Sequence, residues 1–338
     1  MMAIMKKESV WGFCLLMAVF MFVPKGLSAA TLHVILVGDT NDREIGRSVD
    51  VDLGRMGSLL KSIEDATKPE DATKPRKLMI NFQRLDGHDL AQGRGYENVT
   101  RTVNELSVNR DDVVMFYYSG HGMSQTPPWP SMGVEGQMAI NKLLKLDWVI
   151  SQIQAKKPRF FIVMADTCNL LPPPSRHSSI QTKQVENPLN YQKLFLGYKG
   201  FIIASSSTPG QASYGHPRKG GFFTTAFLKS LNQELASASE CQADWNRIME
   251  RVVEKPLETD DPDQPTQQAQ AELELRAVSD FNCFKQEEEG YTDNPMCLYV
   301  DKPNPATHTC AMAQHYKKKC GSHLETCCTD RYGRELCW

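Results

Sequence analysis

Two stretches of this chain, Val113-Val114-Met115-Phe116-Tyr117-Tyr118 and Phe160-Phe161-Ile162-Val163-Met164, are apolar without any polar alternation. A strand with one face in water alternates polar and apolar residues. Unbroken runs belong to strands covered on both faces, which means a parallel sheet with flanking helices. Similar runs lie at Leu32 to Val37, Leu78 to Phe82 and Gly200 to Ala204, and the second stretch extends from Arg159 to Ala165 as a strand candidate. Between them fall patterns of helical period, Leu53 to Ile63, Tyr96 to Leu106, Ile140 to Gln154, Phe222 to Leu235 and Trp245 to Val253. This alternation predicts an α/β domain, its sheet mostly parallel with helices on both faces, over residues 31–280.

The two ends of the chain stand outside that pattern. Lys6 and Lys7 precede an uncharged, largely apolar stretch from Ser9 to Pro24, and Leu27-Ser28-Ala29-Ala30 offers small residues to a signal peptidase. Residues 1–30 therefore read as a cleaved secretory signal, and the apolar stretch is shorter than the ~20 residues that span a bilayer. No stable membrane anchor is expected, and the mature protein is expected to be secreted or periplasmic. Cys14 leaves with the signal, and of the remaining cysteines only Cys168 and Cys241 lie outside the tail. Cys283, Cys297, Cys310, Cys320, Cys327, Cys328 and Cys337 crowd into residues 281–338, a segment too short to bury a sizeable core alone. Disulfides fit an exported chain, with eight cysteines paired and one left over. Zinc on Cys310, Cys320, His323, Cys327 and Cys328 matches no standard ligand spacing, so no metal or other cofactor is expected. A formal charge of −2 supplies no basic field for nucleic acid.

Three polar stretches punctuate the α/β pattern. Glu64-Asp65-Ala66-Thr67-Lys68-Pro69 is copied at once as Glu70-Asp71-Ala72-Thr73-Lys74-Pro75, an exposed insertion. Pro172 to Asn190, rich in Pro, Ser and basic residues, is expected to loop out at the surface. Glu254 to Gln268 leads to the last element of the core.

The two long apolar runs end in reactive residues, the first in Ser119-Gly120-His121-Gly122 and the second in Asp166-Thr167-Cys168-Asn169. Ligands of open α/β sheets bind beyond the carboxyl ends of the strands, so adjacent parallel strands would deliver His121 and Cys168 to one edge. A thiol is only a few per cent ionised at neutral pH, and a nearby imidazole removes its proton. The backbone N–H groups of Gly122 and Cys168 are candidates for holding the oxyanion formed on attack. Cys168 is then the cysteine left out of the disulfides.

The blocks Tyr117-Tyr118-Ser119-Gly120-His121-Gly122 and Asp166-Thr167-Cys168 resemble the histidine and cysteine blocks of the caspase and metacaspase family of cysteine peptidases. Its metacaspase and paracaspase branches are the most similar. Arg47 to Met56 resembles the family's segment after the first strand. Ile203 to Ser207, Gln211 to Tyr214 and Gly220 to Phe227 resemble its small-subunit block. The resemblance implies a caspase-like fold, Cys168 as nucleophile and His121 as general base and acid. It also implies a pocket for the P1 side chain lined by Asp52 and Asp166, with Ser119 nearby. Two carboxylates in such a pocket call for a cation, so protein or peptide substrates with Arg or Lys at P1 are expected. Caspases that accept Asp place Arg and Gln there; this chain has Asp166 in the Gln position, and Arg47 one position from the arginine's.

Two departures shape the expectations. Asn169-Leu170-Leu171-Pro172 stands where the family has His-Ser-Gly, and only Glu186 is acidic between Asn169 and Gly221, so calcium activation is not expected. Arg176, Lys183 and Lys193 are candidate self-processing positions in the loop. The competing class is a caspase-like binding protein that lost turnover and presents the cysteine-rich segment to a partner.

Overall fold

The computed structural model describes residues 29–68, 78–135, 142–169, 187–257, 266–279, 281 and 283, together with the backbone of three strands between 315 and 337. In chain order the strands are β1 (Ala30–Gly38), β2 (Leu78–Leu85), β3 (Val113–Ser119), β4 (Gly122–Thr126), β5 (Trp129–Met132), β6 (Leu144–Lys145), β7 (Phe160–Asp166), β8 (Tyr198–Ser205), β9 (Gly215–His216), β10 (Gly220–Gly221) and β11 (Gln270–Ala277), followed by β12 (His315–Cys320), β13 (His323–Thr329) and β14 (Glu335–Cys337). The helices are α1 (Gly46–Ala66), α2 (Gly87–Leu90), α3 (Gly95–Glu105), α4 (Leu146–Ala155), α5 (Pro188–Leu196), α6 (Phe222–Ser237) and α7 (Trp245–Val253).

Six strands form the central sheet in the order β11-β8-β7-β3-β1-β2. All neighbours are parallel except β11, which runs antiparallel along β8. The unbroken apolar runs lie in its middle, where β3 and β7 are buried at every residue. Alternate residues divide between two cores. Leu32, Val34, Leu36, Met115, Tyr117, Ile162 and Met164 pack with α1, α5, α6 and α7. Ile35, Val37, Val114, Phe116, Tyr118, Phe161 and Val163 pack with α3 and α4. The expected α/β architecture is present, and its period of two dictates which side each strand's last residue faces.

Several elements differ from the sequence expectation. The helix read from Leu53 begins at Gly46, because Ser48 and Asp52 are buried polar residues that break the apolar stripe. The helix read from Ile140 begins at Leu146; Leu144 and Lys145 form β6 and pair with β5. The small sheet β4-β5-β6 was hidden by the shortness of its strands and by Pro127-Pro128 at the turn. The stretch expected to loop as far as Asn190 gives way to α5 at Pro188, where Asn187 caps the helix by accepting from Asn190 N–H at 3.3 Å. Lys193 consequently sits in a helix, its ammonium over the rings of Tyr198 and Phe281, and is withdrawn as a processing position. Arg176 and Lys183 lie outside the described residues, as do residues 1–28, the second tandem copy and most of the cysteine-rich tail.

Beyond β11, Phe281 packs on the core, and Cys283 is buried and bonded to Cys241 in the α6–α7 connection. The bond closes a loop of 42 residues. Loop closure of that size is worth roughly 4 kcal/mol in the chain-entropy account.

Candidate active site

The register of the central sheet brings the reactive segments together. Ser119 and Asp166 are paired residues of β3 and β7, so His121 and Cys168 each follow two residues beyond one shared rung. Gly120 N–H donates to the carbonyl of Asp166 at 3.1 Å, tying the two strand ends. The next contact is tighter. A Cβ built on Gly122 would lie 2.2 Å from Thr167 Oγ1 and 3.0 Å from the carbonyl oxygen of Cys168, so the His121-Gly122 backbone rests directly on Thr167-Cys168.

Cys168 is a free cysteine among the described residues and is 7% exposed. Its sulfur accepts from Ser213 N–H at 3.2 Å and points its own proton towards the Ser213 carbonyl at 3.6 Å. Burial pushes the thiol above its ordinary pKa; the Ser213 N–H opposes that shift and the charge of Asp166 adds to it. The resting sulfur is therefore a thiol that needs a base.

His121 is held from two sides. Its carbonyl accepts from the Tyr118 hydroxyl at 2.6 Å and from Gly133 N–H at 2.8 Å. Its ring nitrogen Nε2 lies 3.2 Å from Oδ2 of Asp42, a residue of the β1–α1 connection.

Asp52, Asp166 and Ser119 form one buried cluster on the α1 and α6 side of the sheet. Ser119 Oγ donates to Asp52 at 2.8 Å, and Gly221 N–H donates to both Asp52 oxygens at 2.8 and 3.0 Å. Asp166 accepts from Thr224 N–H at 3.0 Å, Thr224 Oγ1 at 2.7 Å and Ser213 Oγ at 2.9 Å. Gly220, at φ +81°, passes so close that a Cβ there would fall 1.9 Å from Asp52 Oδ1. Burial, and then the charge of Asp166, drive the Asp52 carboxyl well above the usual carboxylate range. Burial also raises Asp166, against the hydroxyls and N–H that favour its ionised form. Arg47 is exposed on α1. The cation acting on Asp52 is Arg55, which donates to the Lys219 carbonyl at 2.7 Å and to Thr225 Oγ1 at 2.9 Å.

Ser213 joins the two halves of the site. Its backbone meets the Cys168 sulfur, and its hydroxyl meets Asp166 and accepts from Gln267 Nε2 at 3.0 Å. Sequence reasoning placed Ser213, Arg55 and Thr224 in family blocks without a role, and it passed over Asp42, for which no motif spacing existed.

A cysteine and a histidine thus follow adjacent parallel strands, beside a buried pair of acids. The class is that of the caspase-like cysteine peptidases: the family model for the caspase domain matches residues 49–277, and the chain belongs to that family. Membership implies cysteine-peptidase chemistry on protein substrates. Among solved structures the chain is similar to caspase-1 from Spodoptera frugiperda, at 14% identity over 72% of this chain and 88% of that one, with a TM-score of 0.44. No curated protein matches.

Proposed function

We propose that the protein is an exported cysteine endopeptidase that cuts after Arg or Lys. The observation that carries this reading is the Asp52–Asp166 cluster, linked to the Cys168 sulfur through the single residue Ser213. A guanidinium or ammonium arriving there meets carboxylates that are already desolvated, so the attraction is little weakened by water. Arg adds the geometry of a fork that bonds both oxygens of one carboxylate.

In the reaction the Cys168 thiol gives its proton to His121 and the sulfur attacks the carbonyl carbon of P1. The N–H groups of Gly122 and Cys168 hold the resulting oxyanion. Its collapse expels the new amino terminus, which takes its proton from the His121 imidazolium, and leaves an acyl-thioester on Cys168. His121 then takes a proton from water, whose oxygen attacks the thioester; the C–S bond breaks, the product leaves with its new carboxyl terminus, and the proton on His121 returns to the sulfur. Ser213 N–H, on the sulfur at 3.2 Å, steadies the thiolate in both half-reactions.

A peptide library varied only at P1 tests the reading. Arg and Lys peptides should be cleaved and Asp peptides left intact, with all cleavage lost in Cys168→Ala. No cleavage by the wild type, with or without reductant and calcium, would leave the binding-protein reading. Export is supported by the Cys241–Cys283 bond and by the start of β1. Thr31 N–H donates to the buried carboxylate of Asp112 at 2.8 Å, so a cut after Ala30 would place the new ammonium on a carboxylate. N-terminal sequencing of the mature protein should begin at Thr31; a chain retaining residues before Ala30 would reject the cleavage.

A further inference from the structure

The geometry points to Asp42 as a positioning residue for His121, the third member of a Cys168–His121–Asp42 arrangement. This rests on the reading of Cys168 and His121 as the catalytic pair.

Asp42 is divided between two tasks. Its Oδ1 accepts N–H groups from Glu44 at 2.8 Å and Ile45 at 2.9 Å, the turn that leads into α1. Its carbonyl accepts from Gly46 N–H at 3.1 Å. One oxygen and the backbone are thus fixed by local structure, and Oδ2 is left directed at His121 Nε2, 3.2 Å away. The side chains are 13% and 22% exposed, so water screens the pair only in part. Since the His121 backbone is anchored through Tyr118 and Gly133, the carboxylate limits what freedom the ring has left.

The chemical consequence follows from the tautomer. A carboxylate beside Nε2 favours the proton on that nitrogen and leaves the Nδ1 lone pair as the base for the thiol. When the proton arrives, the imidazolium forms next to a negative charge, as an acid stabilises the histidine of other triads. Asp42 touches this ring and the charge of Asp39 acts on it. Asp39 and Asp42 come from the β1–α1 connection, Tyr118 from β3, and Cys168 from the end of β7; the charges of Asp39, Asp42 and Cys168 all act on the Tyr118 hydroxyl. Asp39 is buried, and its pKa is raised first by burial and then by the charge of Asp42. Asp42, the less buried of the two acids, is the one in contact with the ring.

The test is Asp42→Asn, which keeps the Oδ1 acceptor for Glu44 and Ile45 and removes the charge. Two readouts are needed. In full-length protein carrying Cys168→Ala, the tautomer of the His121 ring is read by nitrogen NMR with and without Asp42→Asn; loss of the carboxylate should move the proton of the neutral ring from Nε2 to Nδ1. In protein with Cys168 intact, kcat on an Arg-P1 peptide should fall by about 10²–10³-fold with little change in KM. Asp39→Asn is the companion variant for the case that Asp42→Asn does not fold; it removes the charge neighbouring Asp42 while leaving the Asp42 contact in place, and should keep the proton on His121 Nε2 and leave kcat within a few-fold. An unchanged His121 tautomer in Asp42→Asn, a wild-type kcat in that variant, or a loss of kcat in Asp39→Asn greater than a few-fold would each overturn the assignment. A wild-type protein that cleaves nothing rejects the peptidase reading itself, and the positioning role with it, whatever the tautomer.

Discussion

An Asp166→Asn variant is expected to lose about 10²–10³-fold in kcat/KM on Arg-P1 peptides. Truncating one member of a desolvated charge pair costs about 2–5 kcal/mol, and each 1.4 kcal/mol is tenfold. The fold should tolerate the change. One amide oxygen can still accept from Thr224 N–H and Oγ1, and the amide NH₂ can donate to Ser213 Oγ where the carboxylate accepted. Stability should move in the opposite direction from activity. Both carboxyls have folded pKa values above the ordinary value near 4. A raised carboxyl stabilises the fold below its unfolded pKa, and that contribution is lost as pH climbs through the folded value. At neutral pH the pair therefore carries a cost that one amide removes. Thermal melts of the empty protein should show Asp166→Asn gaining on the wild type between pH 4 and pH 7. Kinetics on the same samples should show the loss for Arg, and no gain for Asp. Equal turnover of Arg peptides by both proteins would remove Asp166 from the pocket.

How far this site could be read beforehand depended on which residues belong to continuous patterns. The β3 and β7 runs told both that a parallel sheet exists and that His121 and Cys168 follow its strands, because apolar continuity and strand ends are local properties. The parity of the same strands then puts Ser119 and Asp166 on the α1 and α6 side, where Asp52 waits; that step needed the register of β3 against β7, which no single segment encodes. α1 was underestimated because its first turns bury Ser48 and Asp52, polar residues that serve the site at the expense of the helical stripe. Asp42 and Ser213 were illegible for a related reason. Each lies in a connection, and each matters through a contact with a residue far along the chain, at 3.2 Å from His121 and from the Cys168 sulfur respectively.

The same closeness makes Gly122→Ala the second large effect. Beyond its approach to Thr167 Oγ1 and Cys168, a Cβ at position 122 would lie 2.8 Å from the Ser131 carbonyl, so it is met on two sides. Thr167 Oγ1 can rotate away, but Cys168 O and Ser131 O are backbone, one belonging to the reactive segment and the other to β5. Relief must come from moving β4 and the preceding His121 away from Cys168. Overpacking of this kind costs about 1–3 kcal/mol of stability, which a domain with two extensive cores can absorb. Catalysis is less forgiving, since a displacement of about 1 Å at a reacting pair is worth about 10²-fold. Gly122→Ala should therefore fold, with a melting midpoint lowered by a few degrees, and should lose about 10²-fold in kcat. The rate at which iodoacetamide alkylates Cys168 separates the causes. A rate that falls with kcat means that His121 has moved out of reach of the thiol. A rate that stays at the wild-type value while kcat falls assigns the loss to the oxyanion N–H of residue 122. Wild-type kcat in Gly122→Ala would mean that the two segments do not need the contact that defines this site.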